Sequence, residues 1–309
     1  MHNAVELYEI PQSKEIYMFV GWRQWADAGA ISSRLPKYLA KRANATKIGH
    51  IKPDGFYLFQ IPGTHDLVRP VIRMEDGFPD SLETNENEFF YAGDEERGFV
   101  YFLGDEPHLD VERYTAAILE VARTLKVRRI IGFGGVYGEL PYNKDRMVSS
   151  IYSLPELKDE LEPLSVTFSN YHGGASIGSY LCKFAGEAEM EYVSFYAFAP
   201  TYSFDSDDHG TNAIRVENDF VAWLNIMQRV DYMLKLGYDL TDLEKRAQKL
   251  IDTIDAKVEE LDAAAPHLGI KAYMDQLAEG YEEKPFNPLD DVWADELRRL
   301  TAKFEDEGD

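Results

Sequence analysis

Cysteine is almost missing from this sequence: Cys182 stands alone among 309 residues. One thiol excludes an intramolecular disulfide and any multi-cysteine metal site. With no stretch that reads as a signal peptide, it makes the cytoplasm the expected compartment. Positive charge is scarce too, with 32 Lys and Arg against 55 Asp and Glu and a formal net charge of −23. A surface that acidic repels phosphate backbones and anionic lipid unless its cations gather in one patch. No such patch is visible, so neither nucleic acid nor membrane is expected as a partner. Long apolar runs are also absent, the longest being strand-sized against the roughly 20 residues of a membrane helix. What remains is 45% hydrophobic and 13% aromatic, the composition of a globular chain. At about 300 residues such a chain buries roughly three quarters of its unfolded surface and needs no staples.

Along the first two thirds, strand-like and helix-like stretches alternate. Ile16 to Val20 is a short β-rich run stopped by Gly21, and Asp27 to Ala43 reads as a helix bent or broken at Pro36. Lys47–Ile51, Gly55–Ile61, Leu67–Met74, Glu88–Tyr91 and Gly98–Leu103 read as extended. A βαβ unit follows: strand 98–103, Asp110 as N-cap, apolar residues at helical spacing from Val111 to Leu125, and strand 128–133. Strands are expected at Ser165–Ser169 and Tyr192–Phe198, with a helix near Ala175–Ala185 between them. The order implies a mixed, mostly parallel sheet with helices on both faces. From about Asn212 the chain reads helical, with a stripe of Trp223, Met227, Val230 and Leu234. Thr241 and Glu244 form a capping-box pair before the stripe Leu243, Ala247, Leu250, Ile254, Val258 and Leu261. Asn287-Pro288 opens a last helix carrying Leu289, Trp293, Leu297, Leu300 and Phe304. These faces are too apolar to leave wet, so residues 241–309 are expected to pack on the body and shape an oligomer.

Several chemistries fail at the motif level. In the run Ile130 to Pro141, Tyr137 takes the last glycine position of G-x-G-x-x-G, and no Gly-Lys-Ser/Thr follows. This stretch is a ligand loop or a tight turn at a strand end. No G-x-S-x-G elbow exists anywhere. Asp205 to Gly210 begins like a calcium loop, but His209 and Val216 break the ligand pattern. Neither metal nor cofactor is expected, and no nucleotide hydrolysis. The segment Asn170 to Ser176 puts His172 and Gly173 before a helix, where the histidine serves as an acid/base or as a plain turn residue. Ligands of open α/β sheets bind at the carboxyl ends of strands. Gly21, Asp27, Gly104, Asp105, Glu106, Gly134, Gly135, His172 and Gly173 each follow an expected strand, so they form one candidate cleft, acidic in character.

Taken together, ordered stretches from about residue 15 to 240 resemble a known family. They are Gly21-Trp22 with Asp27-Ala28-Gly29, Ile51-Lys52-Pro53-Asp54 with Phe56-Tyr57, and Arg69-Pro70. Then come Phe102 to His108, Arg128 to Gly138, Met147-Val148-Ser149-Ser150 and Val193 to Ala197. The family is the one named after the second proteasome assembly chaperone, found in eukaryotes, archaea and bacteria. The resemblance implies an α/β/α sandwich similar to the nucleoside phosphorylase/hydrolase-like fold, assembled as a homo-oligomer, most simply a trimer. Eukaryotic members help assemble the proteasome α-ring, and some archaeal relatives dock on proteasomes through a hydrophobic-Tyr-X terminus. Phe304 to Asp309 does not match that terminus, so tail docking is not expected.

The expected organisation is an α/β/α domain over 1–240 and a helical extension over 241–309. The leading functional expectation is a non-enzymatic, homo-oligomeric, chaperone-like scaffold that binds itself and a protein of unknown identity. The alternative is a binder of a small, nucleoside-like molecule, or a hydrolase- or phosphorylase-type enzyme, using the strand-end cleft.

Overall fold

The computed structural model describes residues 4–60, 69–204, 212–284 and 286. The chain opens with β1 (Val5–Leu7) and β2 (Glu15–Arg23), followed by α1 (Ile31–Arg42) and β3 (Thr46–Ile51). A ribbon of β4 (Val71–Glu75) and β5 (Phe78–Glu83) precedes β6 (Asn87–Gly93) and β7 (Arg97–Asp105). Next come α2 (Val111–Thr124), β8 (Val127–Gly138), β9 (Val148–Tyr152), α3 (Leu157–Leu161) and β10 (Thr167–Phe168). The last part holds α4 (Ile177–Glu187), β11 (Glu191–Phe204), β12 (Asn212–Arg215), α5 (Phe220–Leu234), α6 (Thr241–Ala264) and α7 (Ile270–Glu279).

One sheet runs β1-β3-β6-β7-β2-β8-β11-β9-β10, with β12 hydrogen-bonded to β11. Its four central strands, β7, β2, β8 and β11, are parallel, and β6 and β9 flank them antiparallel. Strand period decides what each face meets. Ile16, Met18, Val20 and Trp22 of β2 share a core with α2 and α4. Tyr17 and Phe19, pointing the other way, share one with α1, α3 and α5. Helices therefore cover both faces, as the sequence pattern implies. A third apolar cluster joins α6 and α7 to Tyr142, Tyr202 and Val216.

Several local expectations need correction. Residues 55–60 form turns and bends, not a strand. The glycine-rich run continues β8 to Gly138, neither loop nor turn. Asn212 begins a strand, and the helix starts eight residues later at Phe220. Asp110 stands at the cap position of α2, but its backbone is left-handed and its carboxylate pairs with Arg113 instead (2.5 Å). Thr241 is already inside α6, and no side-chain cap bond forms there. Pro36 does not break α1, which runs unbroken past it. Proline removes the helix bond to the carbonyl four residues back. That carbonyl, of Ser32, lies against Gly21, where a Cβ would sit 1.9 Å from its oxygen. The helix expected after Asn287 and the calcium-like loop lie outside the described residues.

Candidate functional site

Parallel register gathers most of the candidate cleft at the carboxyl ends of the central strands. Arg23 stands opposite Asp105 and Trp22 opposite Gly104, while Asp27 forms a parallel bridge with Gly135. Gly21, Asp27, Gly104, Asp105, Glu106, Gly134 and Gly135 thus occupy one end of the sheet. His172 and Gly173 are exposed on the loop that leads into α4 at that same end, where the Ile177 amide donates to Glu106 (2.9 Å).

The carboxylates of this end are engaged. Asp105 receives Nε and Nη2 of Arg23 (2.5 and 2.6 Å) and the Glu86 amide (2.9 Å). Its backbone carbonyl lies within hydrogen-bonding distance of the Tyr57 and Tyr114 hydroxyls (2.8 and 3.0 Å). Those two hydroxyls also converge on Asn87 Oδ1 (2.9 and 2.7 Å), and Tyr114 accepts from the Trp22 indole (3.1 Å). Asp27 receives the Ser33 amide (2.8 Å), which fixes the first turn of α1. Glu106 holds the Ile177 amide, joining the end of β7 to the start of α4. Burial holds the Asp27 and Glu106 carboxyls above their ordinary values, because desolvation disfavours the charged form. The same cause lowers His108, which accepts the Leu58 amide through Nδ1 (3.1 Å) and is therefore neutral at that nitrogen.

The glycines here make room for the protein's own atoms. A Cβ on Gly134 would lie 2.3 Å from the Tyr196 ring, and one on Gly135 2.0 Å from the Ala28 carbonyl. Between β2 and α1 the backbone is left-handed at Gln24 (φ 97°), Ala26 (53°), Gly29 (62°) and Ala30 (49°). Three of these are not glycine, so the loop holds strain of order 1–3 kcal/mol per residue. It carries Trp25, 61% exposed. Val136, Met147, Tyr171 and Leu109, also on this end, are exposed apolar residues.

Sequence reasoning missed the polar centre beneath the loop. The Arg146 and Asp219 side chains are both 0% exposed and pair through two hydrogen bonds (2.8 and 3.3 Å). Arg146 also donates to the carbonyls of Pro141 and Lys144 (3.1 and 2.5 Å). Asp219 caps α5 through the Ala222 amide (3.1 Å), and its own amide reaches the Gly29 carbonyl (2.9 Å). Farther along α5, Arg229 donates to the carbonyls of Leu164 and Asn225 (both 2.8 Å). Burial lowers this guanidinium to about 10. Neither arginine has a signal in the sequence, since its acceptors are backbone carbonyls or, for Arg146, a carboxylate 73 positions away.

An open groove of about 700 Å³ lies at the opposite, amino ends of the strands, lined by Glu15, Arg97, Phe99, Leu236 and Tyr238 among others. Among the described residues no group of three or more His, Cys, Asp or Glu is placed to hold a metal ion. No described helix is long and apolar enough to cross a membrane.

Comparison with known proteins agrees with this architecture. The sequence model of the PAC2 family matches residues 22–258. Among solved structures, the proteasome-assembly chaperone homologue of Mycobacterium tuberculosis is 20% identical with a TM-score of 0.67, covering 78% of this chain and 95% of its own. A protein of unknown function from Corynebacterium glutamicum is 17% identical at 0.71, covering 90% and 99%. PbaB of Pyrococcus furiosus, an archaeal proteasome activator, is 22% identical at 0.58, covering 82% and 98%. No curated protein matches the chain significantly.

Proposed function

The chain belongs to the PAC2 family, and from that premise we propose that it is a homo-oligomeric, chaperone-like scaffold that binds protein and performs no chemistry of its own. The solved relatives named for proteasome assembly and proteasome activation support a partner in protein assembly. The observation that carries the reading is the occupation of the strand-end carboxylates. Asp27 and Glu106 each hold backbone amides, and Asp105 holds an arginine as well as an amide. An acid/base catalyst built on these carboxylates would need one of them free to reach its substrate. Beside the exposed His172 and Arg23, this end also offers apolar side chains to solvent: Trp25 on a strained loop, Val136 and Tyr171. Exposed apolar patches of this kind mark protein contacts.

Affinity purification from the native host, with mass spectrometry of the retained proteins, tests it. The full chain should hold a stoichiometric partner that Trp25→Ala loses while its circular dichroism is unchanged. Equal retention by both proteins, or turnover of a nucleoside by the purified chain, would refute the reading.

A further inference from the structure

The groove at the amino ends of the strands, about 700 Å³ in volume, has apolar walls that are only half-buried. Ala43 after α1, Ala92 of β6, Phe99 of β7, and Leu236 and Tyr238 past α5 supply them. The Phe99 and Tyr238 rings meet at 6.4 Å. Charged groups line the rim, and its carboxylates are engaged. Glu96 pairs with Lys14 (2.5 Å), and Glu15 is shared by Arg97 (3.9 Å) and Arg128. Asp94 accepts the Glu96 and Arg97 amides (both 2.9 Å). Lys14 and Arg128 are each more than half exposed, in a chain short of positive charge.

The last described stretch of the chain is heading for this groove. Past α7 it runs alongside α5 and in the same direction. Tyr281 donates to the Asp145 carbonyl (3.0 Å), and Glu283 accepts the Asp145 amide (2.8 Å). Asp145 in turn holds Asn225, in the first half of α5 (2.9 Å). Three residues after Glu283, the Phe286 ring packs on Tyr232 (5.5 Å) and on the Arg229 guanidinium (5.1 Å). The chain has thereby advanced about 10 Å along α5, from Asn225 to Tyr232. Leu236, the nearest groove residue in sequence, follows four positions later. Residues 287–309, outside the described residues, then begin. Leu289, Trp293, Leu297, Leu300 and Phe304 recur there at helical steps, among eight Asp and Glu and three Lys and Arg. At helical rise, residues 287–304 reach about 27 Å, enough to pass Leu236 and enter the groove.

We propose that residues 287–309 lie in the amino-end groove of their own chain. The apolar stripe faces Phe99, Leu236 and Tyr238, and the carboxylates face Lys14 and Arg128. The inference is independent of the homo-oligomeric reading. Three observations select the chain's own end as the occupant. Phe286, 7% exposed, anchors the segment beside the groove, and a short tether of this kind supplies an effective concentration of order mM. The apolar walls and exposed cations match both sides of an acidic, amphipathic segment. A second copy would have to bring its own charge of −23 to the same place. The chain thus closes its own groove, and a partner that uses the groove must first displace the tail.

The test uses the full chain, whose one native thiol, Cys182, is buried. In Ala92→Cys/Leu300→Cys, a short bismaleimide should join the two thiols within one chain, at monomer mass on a denaturing gel. Glu112→Cys, exposed at the start of α2, should not replace Ala92→Cys in that reaction. The Leu236 and Tyr238 amides, both bonded to Asp231, report the cover by hydrogen exchange. Leu297→Asp/Leu300→Asp should speed their exchange at least roughly tenfold with circular dichroism unchanged. Exchange that the tail variant leaves unchanged overturns the inference, as does equal cross-linking through Glu112→Cys. A cross-linked product at twice the monomer mass puts a second copy's tail in the groove and overturns the chain's own.

Discussion

Two aspartate–arginine pairs, both bidentate, hold the carboxyl end of this sheet, and they differ in their access to water. In Arg146–Asp219 both side chains are 0% exposed. In Arg23–Asp105 the aspartate is 2% exposed but the arginine is 57% exposed. The first pair spends every contact inward: it ties the β8–β9 connection to the start of α5 and, through the Asp219 amide, to Gly29. The second seals one carboxylate and leaves the outer face of its guanidinium open. Desolvation makes a buried pair a poor source of net stability but an expensive one to break. An open pair is screened and contributes little. The deep pair is therefore a fixture of the fold, and the shallow one is the cation the surface can present.

That contrast can be broken in graded steps. Asp219→Ala strands the Arg146 charge, and urea unfolding should show a loss of about 3–5 kcal/mol. Arg146→Met/Asp219→Leu should recover most of that loss, because no unpaired charge is left. Gly135→Ala drives a methyl into the Ala28 carbonyl, and an overpacked strand of this kind should lose about 1–3 kcal/mol. Arg23→Ala should lose only about 1–2 kcal/mol, since Asp105 keeps the Glu86 amide and the arginine is largely solvated. Sodium chloride at high concentration should shrink the Arg23 effect and leave the Asp219 effect standing.

The smallest effect is in pH. Glu106 and Asp27 have folded values raised by burial above the ordinary 4.5 and 3.8. Between the unfolded and folded values the native state binds more protons, so this contribution is fully present below the unfolded value. It is lost as pH rises through the folded one. Glu106→Gln should flatten that decline in stability from pH 4 upward, measured as the urea midpoint against pH. A midpoint difference that does not change with pH would rule out the linkage.

Layering was legible because period decides it: the alternation of Ile16, Met18 and Val20 with Tyr17 and Phe19 sorts the two cores before any fold is known. The end of the sheet that gathers the candidate residues was legible for another reason: each follows an expected strand, and parallel strands bring their carboxyl ends together. The glycine run was misread because Gly135 and Gly134 answer to Ala28 and Tyr196, residues remote in sequence. The ribbon was half seen. Leu67–Met74 read as extended, but Pro79 and Asp80 hid β5. The signal that finds it is Asp76-Gly77, with φ of 47° and 84°, the dipeptide that closes two-residue hairpins. Arg146–Asp219 had no local signal, because 73 positions separate its partners.

The place of β2 in the sheet has a consequence for synthesis. It is among the first strands made and sits at the centre, between β7 and β8. Its register partners run from Arg97 to Asp105 on one side and from Val127 to Gly132 on the other. While the chain emerges from the ribosome, Tyr17, Met18, Phe19 and Val20 therefore wait with both edges unpaired until the β7 partners 82 positions on are made, and with one edge open until the β8 partners 112 positions on follow. Such non-local pairing folds slowly and exposes aggregation-prone strand on the way. A nascent chain of this family member thus carries exposed apolar strand that needs protection until β7 and β8 are made.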